Sequence, residues 1–97
     1  MKVVYSRQAI ADLLRAAEYY TSNASPTVAR SIGRRIEDVV QRIATAPESA
    51  PRVSQRSAVR TVAVVRYPFR IFYRIELGQI EILHIRHTSR RPPGPEE

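Results

Sequence analysis

The sequence predicts an α+β domain in which an N-terminal strand and an antiparallel two-helix hairpin precede a small antiparallel β-sheet. Three observations carry this. Residues 6 to 46 show apolar positions at helical spacing, interrupted once by Ser25-Pro26. From Val59 onward the period changes to two, with β-branched and aromatic residues dominating. Short reversals separate those later segments, and helices followed by hairpin-connected strands make a sheet with helices on one face.

Taken in order, Lys2 to Tyr5 are β-formers, and Ser6 stands where a helix N-cap belongs. Ala9, Ile10, Leu13, Leu14, Ala17 and Tyr20 then form the apolar stripe of a first helix. It stops between Thr21 and Ala24, because Ser25-Pro26 supplies an N-cap and a proline at the first helical position of the next. Val28, Ile32, Ile36, Val39, Val40 and Ile43 line the second helix, which Pro47 ends. Glu48 to Ala58 is polar and carries Pro51, so it reads as a loop. Strands follow at Val59 to Val65, Phe69 to Ile75 and Ile80 to Arg86, the last two joined by the tight turn Glu76-Leu77-Gly78-Gln79. Plain alternation puts Phe69, Ile71, Tyr73 and Ile75 opposite Arg70, Phe72 and Arg74. In the last strand it puts Ile80, Ile82, His84 and Arg86 opposite Glu81, Leu83 and Ile85. Residues 1–91 form one domain and the proline-rich residues 92–97 a mobile tail.

Composition narrows the chemistry. The 97 residues include no cysteine, which excludes disulfides and thiolate metal sites, and two histidines alone do not make a zinc site. No apolar run approaches the ~20 residues of a membrane-spanning helix, and no signal-peptide core follows Met1, so a cytoplasmic protein without membrane contact is expected. Sixteen basic against nine acidic side chains give a net charge of +7, pointing to an anionic partner. The excess lies mainly in residues 51 to 97, with nine basic and four acidic groups, and Lys2 is the chain's only lysine. Guanidinium groups suit bidentate pairing with phosphate or carboxylate.

Arg70 and Arg74 share a strand face four positions apart, with Arg60 and Arg66 before them and Arg86 after them as neighbours. Arg60, Arg70, Arg74, Arg86 and Arg90 are the expected target-binding set. His84 and His87 are the groups that titrate near neutral pH without a large shift. A nuclease would need an acid, a base and cations around phosphorus, for which Arg70, Arg86 and His87 are the candidates. Tyr67 and Tyr73 could stack on bases, but on strands such rings serve packing. Ser/His/Asp, Walker, GxGxxG and HExxH patterns are missing.

The run Tyr67-Pro68-Phe69-Arg70-Ile71-Phe72-Tyr73-Arg74-Ile75 is followed by Ile82-Leu83-His84-Ile85-Arg86-His87-Thr88-Ser89-Arg90-Arg91-Pro92. Together with Ser6, Ala9, Asp12 and Leu13 at the first helix start and Tyr19-Tyr20 at its end, it resembles the RelE/ParE superfamily of bacterial toxin-antitoxin modules. The resemblance implies a small α+β toxin without metal or cofactor, in which Arg70 and Arg86 match the family's strand arginines. The ending Ile85 to Pro92, with Thr88-Ser89 in place of a late tyrosine and no interior lysine, looks like the ParE branch. That branch implies a non-enzymatic inhibitor of DNA gyrase, neutralised by a ParD-like antitoxin through an acidic amphipathic segment. The RelE branch implies instead a ribosome-dependent mRNA endonuclease using Arg70, Arg86 and His87. A third reading, a plain nucleic-acid-binding module, predicts log K falling about 0.9 per phosphate neutralised on duplex DNA as log salt rises.

Overall fold

The structure is a computed structural model that describes residues 1–53 and 56–88, without the side chains of residues 56 and 57. The elements run β1 (Lys2–Tyr5), α1 (Arg7–Asn23), α2 (Pro26–Thr45), β2 (Arg52–Val53), β3 (Arg56–Val64), β4 (Phe69–Glu76) and β5 (Gln79–His87). The strands form one sheet in the order β1-β5-β4-β3-β2. The helical hairpin lies on one face, α1 along β5 and β1 and α2 reaching β3. The α+β class and the helix-on-sheet layering follow the sequence expectation. Tail residues 92–97 and the domain limit at 91 lie outside the described residues.

Both helices begin as their sequences dictate. The Ser6 side chain accepts the Ala9 N–H at 3.0 Å, and that of Ser25 accepts the Val28 N–H at 3.1 Å, with Pro26 opening α2. In α2 the buried residues are Ile32, Ile36, Val39, Val40 and Ile43, the expected stripe without Val28, which is exposed at the helix start. Helix α1 sits differently from expectation. Ala9 and Ala16 are buried and Leu13 and Tyr20 pack beside them, whereas Ile10 and Leu14 are 48% and 66% exposed. Ala17 is exposed as well. The two alanines let the backbone of α1 approach β5, and that close seat turns the neighbouring apolar sector outward.

The sheet is mixed, because β1 pairs in parallel with β5 while the other neighbours are antiparallel. A parallel partner requires a long crossover, and here the whole helical hairpin lies between β1 and the rest of the sheet. The segment expected to be a loop also contains structure. Arg52 pairs with Arg60 across a short edge strand, and β3 begins at Arg56. The β4–β5 turn has positive φ at both Leu77 (54°) and Gly78 (73°), which closes a two-residue hairpin of the I′ kind.

On the helix-facing side, Phe69, Ile71, Tyr73, Ile80, Ile82 and Ile85 meet the α2 stripe. Tyr73 is fully buried, and its hydroxyl donates to the Pro47 carbonyl at 2.6 Å. It serves packing, as does Tyr67, half-buried against the same core. Burial pushes the Tyr73 hydroxyl above its usual pKa, opposed by the Arg60 charge and the Ala50 backbone. Tyr5 is shifted in the same direction, first by burial and then by the Glu37 carboxylate.

These shifts fix a direction. A tyrosine whose folded pKa lies above the unfolded value of about 10 favours folding below that pH and loses the benefit as pH rises through the folded value. The melting temperature should therefore fall above about pH 10, and less steeply in Tyr73→Phe than in the parent. Equal slopes in the two proteins would assign the alkaline loss elsewhere. Shortening the core at Ile36→Ala should cost about 2–5 kcal/mol in denaturant unfolding.

Candidate anion-binding face of the sheet

The face of the sheet away from the helices carries Arg70, Arg74 and Arg86, and the placement of Arg86 depends on an irregularity in β5. Ile82 pairs with Tyr73 and His84 with Phe72, so Leu83 has no partner on β4. This one-residue bulge reverses the phase of β5. Beyond it, Ile85 lies opposite Ile71 on the core side and Arg86 opposite Arg70 on the open side. Plain alternation had put His84 and Arg86 with Ile80 and Ile82. The bulge overturns that, because the spacing Ile80, Ile82, Ile85 can be buried only if one residue is added between Ile82 and Ile85.

Two groups of α1 and its cap close the bulge. Strand β1 ends at Tyr5, paired with Ile82, so beyond that point β5 has no strand on its outer side. The Ser6 N–H donates to the Ile82 carbonyl at 2.9 Å, and the Ser6 hydroxyl donates to the Leu83 carbonyl at 2.9 Å. Asp12 Oδ2 accepts the Ile85 N–H at 2.9 Å and lies 3.7 Å from His84 Nδ1. Asp12 Oδ1 accepts from Gln8 Nε2 at 2.8 Å, with Arg15 at 3.7 Å. Sequence reading had noted Ser6 and Asp12 only as part of a helix-start pattern; their reach to β5 depends on contacts more than seventy residues away.

Arg70 and Arg86 are cross-strand partners on the open face. Side chains so placed start about 5 Å apart, close enough for both guanidinium groups to meet one oxyanion. Arg70 Nε donates to Thr61 Oγ1 at 3.1 Å, which orients the guanidinium from the neighbouring strand. Among the described residues neither Arg70 nor Arg86 has a carboxylate within ion-pair distance. Phe72 stands between Thr61 and His84 on the same face, with the His84 ring edge-on at 6.5 Å.

The remaining expected residues separate from this pair. Arg74 is on the open face, but its Nε lies 2.9 Å from Glu81 and 3.0 Å from Glu76, so its charge is offset. Arg60 pairs with Tyr73 and therefore points to the helix side. There its Nη1 donates to the carbonyls of Glu48 (3.1 Å) and Ala50 (2.7 Å), holding the α2–β2 connection rather than joining the cluster. Arg66 occupies the β3–β4 turn with φ 81°. Arg90 lies outside the described residues. His87 pairs with Phe69, on the core side, and its Nε2 lies 3.0 Å from the Tyr20 hydroxyl. Arg70, Arg86 and His87 thus do not share a face, and an anion held between the two arginines would not have this imidazole beside it.

A two-helix hairpin on a five-stranded mixed sheet, with an arginine pair on the face away from the helices, defines a small basic α+β protein. The family model described as ParE toxin of type II toxin-antitoxin system, parDE, matches residues 3–92, and the chain belongs to that family. It is also similar to a solved structure titled "Chromosomal ParDE TA system from P. aeruginosa", at 28% identity and a TM-score of 0.82, over 92% of this chain and 97% of the other. No curated protein matches the chain. No helix among the described residues is long and apolar enough to cross a membrane.

The geometry separates two kinds of arginine by experiment. Arg70→Ala and Arg86→Ala should each elute earlier from a polyanion column, with Arg74→Ala changed least because its charge is already offset. Arg60→Ala should instead lower unfolding free energy by about 1–3 kcal/mol, the cost of carbonyls that lose a charged donor.

Proposed function

We propose that this ParE toxin inhibits DNA gyrase in the bacterial cytoplasm as a binding protein rather than a hydrolase, using the open sheet face around Arg70 and Arg86. The observation that carries the reading is the cross-strand pair of guanidinium groups, without a carboxylate at ion-pair distance among the described residues, on a chain of the ParE family. Such a pair grips an anionic feature of the target, either the phosphate of gyrase-bound DNA or a carboxylate of the enzyme. Weighing against mRNA cleavage is the position of His87 behind the sheet, engaged with Tyr20.

The same reading includes a ParD-like antitoxin, in keeping with the similarity to a ParDE toxin-antitoxin system. A net charge of +7 speeds encounter with an acidic chain. A groove of about 490 Å³ beside the hairpin is lined by Val3, Tyr5, Leu13, Gly33, Ile36 and Val40, among others, and suits leucine or valine anchors of an amphipathic segment. Ordering that segment on binding would leave it open to proteolysis when free.

Purified toxin added to gyrase, relaxed plasmid and ATP should slow supercoiling or accumulate linear DNA, and Arg70→Ala and Arg86→Ala should each weaken the effect. An unchanged topoisomer ladder at excess toxin, together with new A-site cleavage in cellular mRNA, would replace this reading by the endonuclease one.

A further inference from the structure

The arginine pair exists only because β5 is bulged, and the groups that close the bulge are not on the sheet. We propose that Ser6 and Asp12 are positioning residues for target binding, holding the Leu83 bulge and through it the face on which Arg86 emerges. The proposal rests on the reading that Arg70 and Arg86 grip the target.

Accommodating Leu83 turns its carbonyl out of the β4 ladder, and the end of β1 at Tyr5 leaves the Ile85 N–H without a strand partner. Unsatisfied backbone groups beside a core destabilise the local geometry that exposes them. The Ser6 hydroxyl takes the first and Asp12 Oδ2 the second, each at 2.9 Å. Asp12 does not swing freely, since its side chain is only 11% exposed and its other oxygen is held by Gln8. Ser6 is likewise fixed, because the same oxygen caps α1 by accepting the Ala9 N–H. The cap of α1 and its first two turns thus hold the backbone of β5 on both sides of His84. Arg86 follows Ile85 directly, so a loosened Ile85 amide frees the residue whose direction the pair requires.

The experiment combines gyrase supercoiling assays with amide exchange at Ile85, on Asp12→Ala, Asp12→Asn, Arg86→Ala and the double variant Asp12→Ala/Arg86→Ala. Thermal melting of each verifies folding. Asp12→Ala should raise the toxin concentration for half-inhibition about tenfold, equivalent to about 1.4 kcal/mol, and speed exchange at Ile85. Asp12→Asn, which keeps a carbonyl acceptor, should retain both protection and inhibition. In the Arg86→Ala background, Asp12→Ala should add nothing, because its effect passes through Arg86. Full activity of Asp12→Ala, or a loss that adds undiminished to that of Arg86→Ala, overturns the proposal. Arg86→Ala with parental inhibition overturns instead the reading beneath it. If Asp12→Ala does not fold, Asp12→Asn decides: inhibition that follows Ile85 protection supports the role, and inhibition lost while protection stays overturns it.

Discussion

Leu83, a residue with no partner across the β4–β5 ladder, decides which side of the sheet the last strand's cation occupies. Side chains alternate along a strand, so adding one residue exchanges the faces of everything beyond it. The apolar residues enforce the exchange, since Ile80, Ile82 and Ile85 are all buried and their spacing is two and then three. A fully regular strand would place Arg86 against the core and Ile85 in solvent. Core burial therefore positions a charged surface, and the two demands are met by one backbone irregularity.

The helical layer gives the irregularity its support. Helix α2 supplies most of the helical core, with five buried β-branched residues in a continuous stripe. Helix α1 contributes small residues, Ala9 and Ala16, and so lies close enough to β5 for Ser6 and Asp12 to reach backbone atoms. This closeness also leaves Ile10 and Leu14 outside the core. At the far end of α1, Tyr20 meets His87 and Phe69, so the helix is tied to β5 on both sides of the bulge.

Charge is distributed by the same geometry. Arg60 stabilises a loop from the helix side, Arg74 is offset by Glu76 and Glu81, and Arg70 and Arg86, on the face away from the helices, have no carboxylate partner among the described residues. A net charge of +7 read from composition does not distinguish these roles, because a guanidinium donating to backbone carbonyls and one facing solvent count equally. What singles out one cross-strand pair is the absence of carboxylates near it among the described residues.

Much of the fold was legible because it is decided by neighbours in the chain. Ser6, Ser25-Pro26 and Leu77-Gly78 act through local backbone geometry, and the α2 stripe and the β4 alternation need only the period of one element. The side of β3 on which Arg60 lies was not legible, since Val59, Val62, Val64 and Val65 place valine on both parities and give no contrast between faces. The parallel pairing of β1, the seat of α1 and the placing of His87 behind the sheet were hidden for a different reason. Each depends on which surfaces meet after the hairpin folds back. The sequence by itself determined the elements and the cationic excess, whereas the bulge in β5 follows from the joint burial of Ile80, Ile82 and Ile85. Only the tertiary structure decided which arginines stand together, because the side on which each emerges is set by its cross-strand pairing and, for Arg86, by the unpaired Leu83 before it.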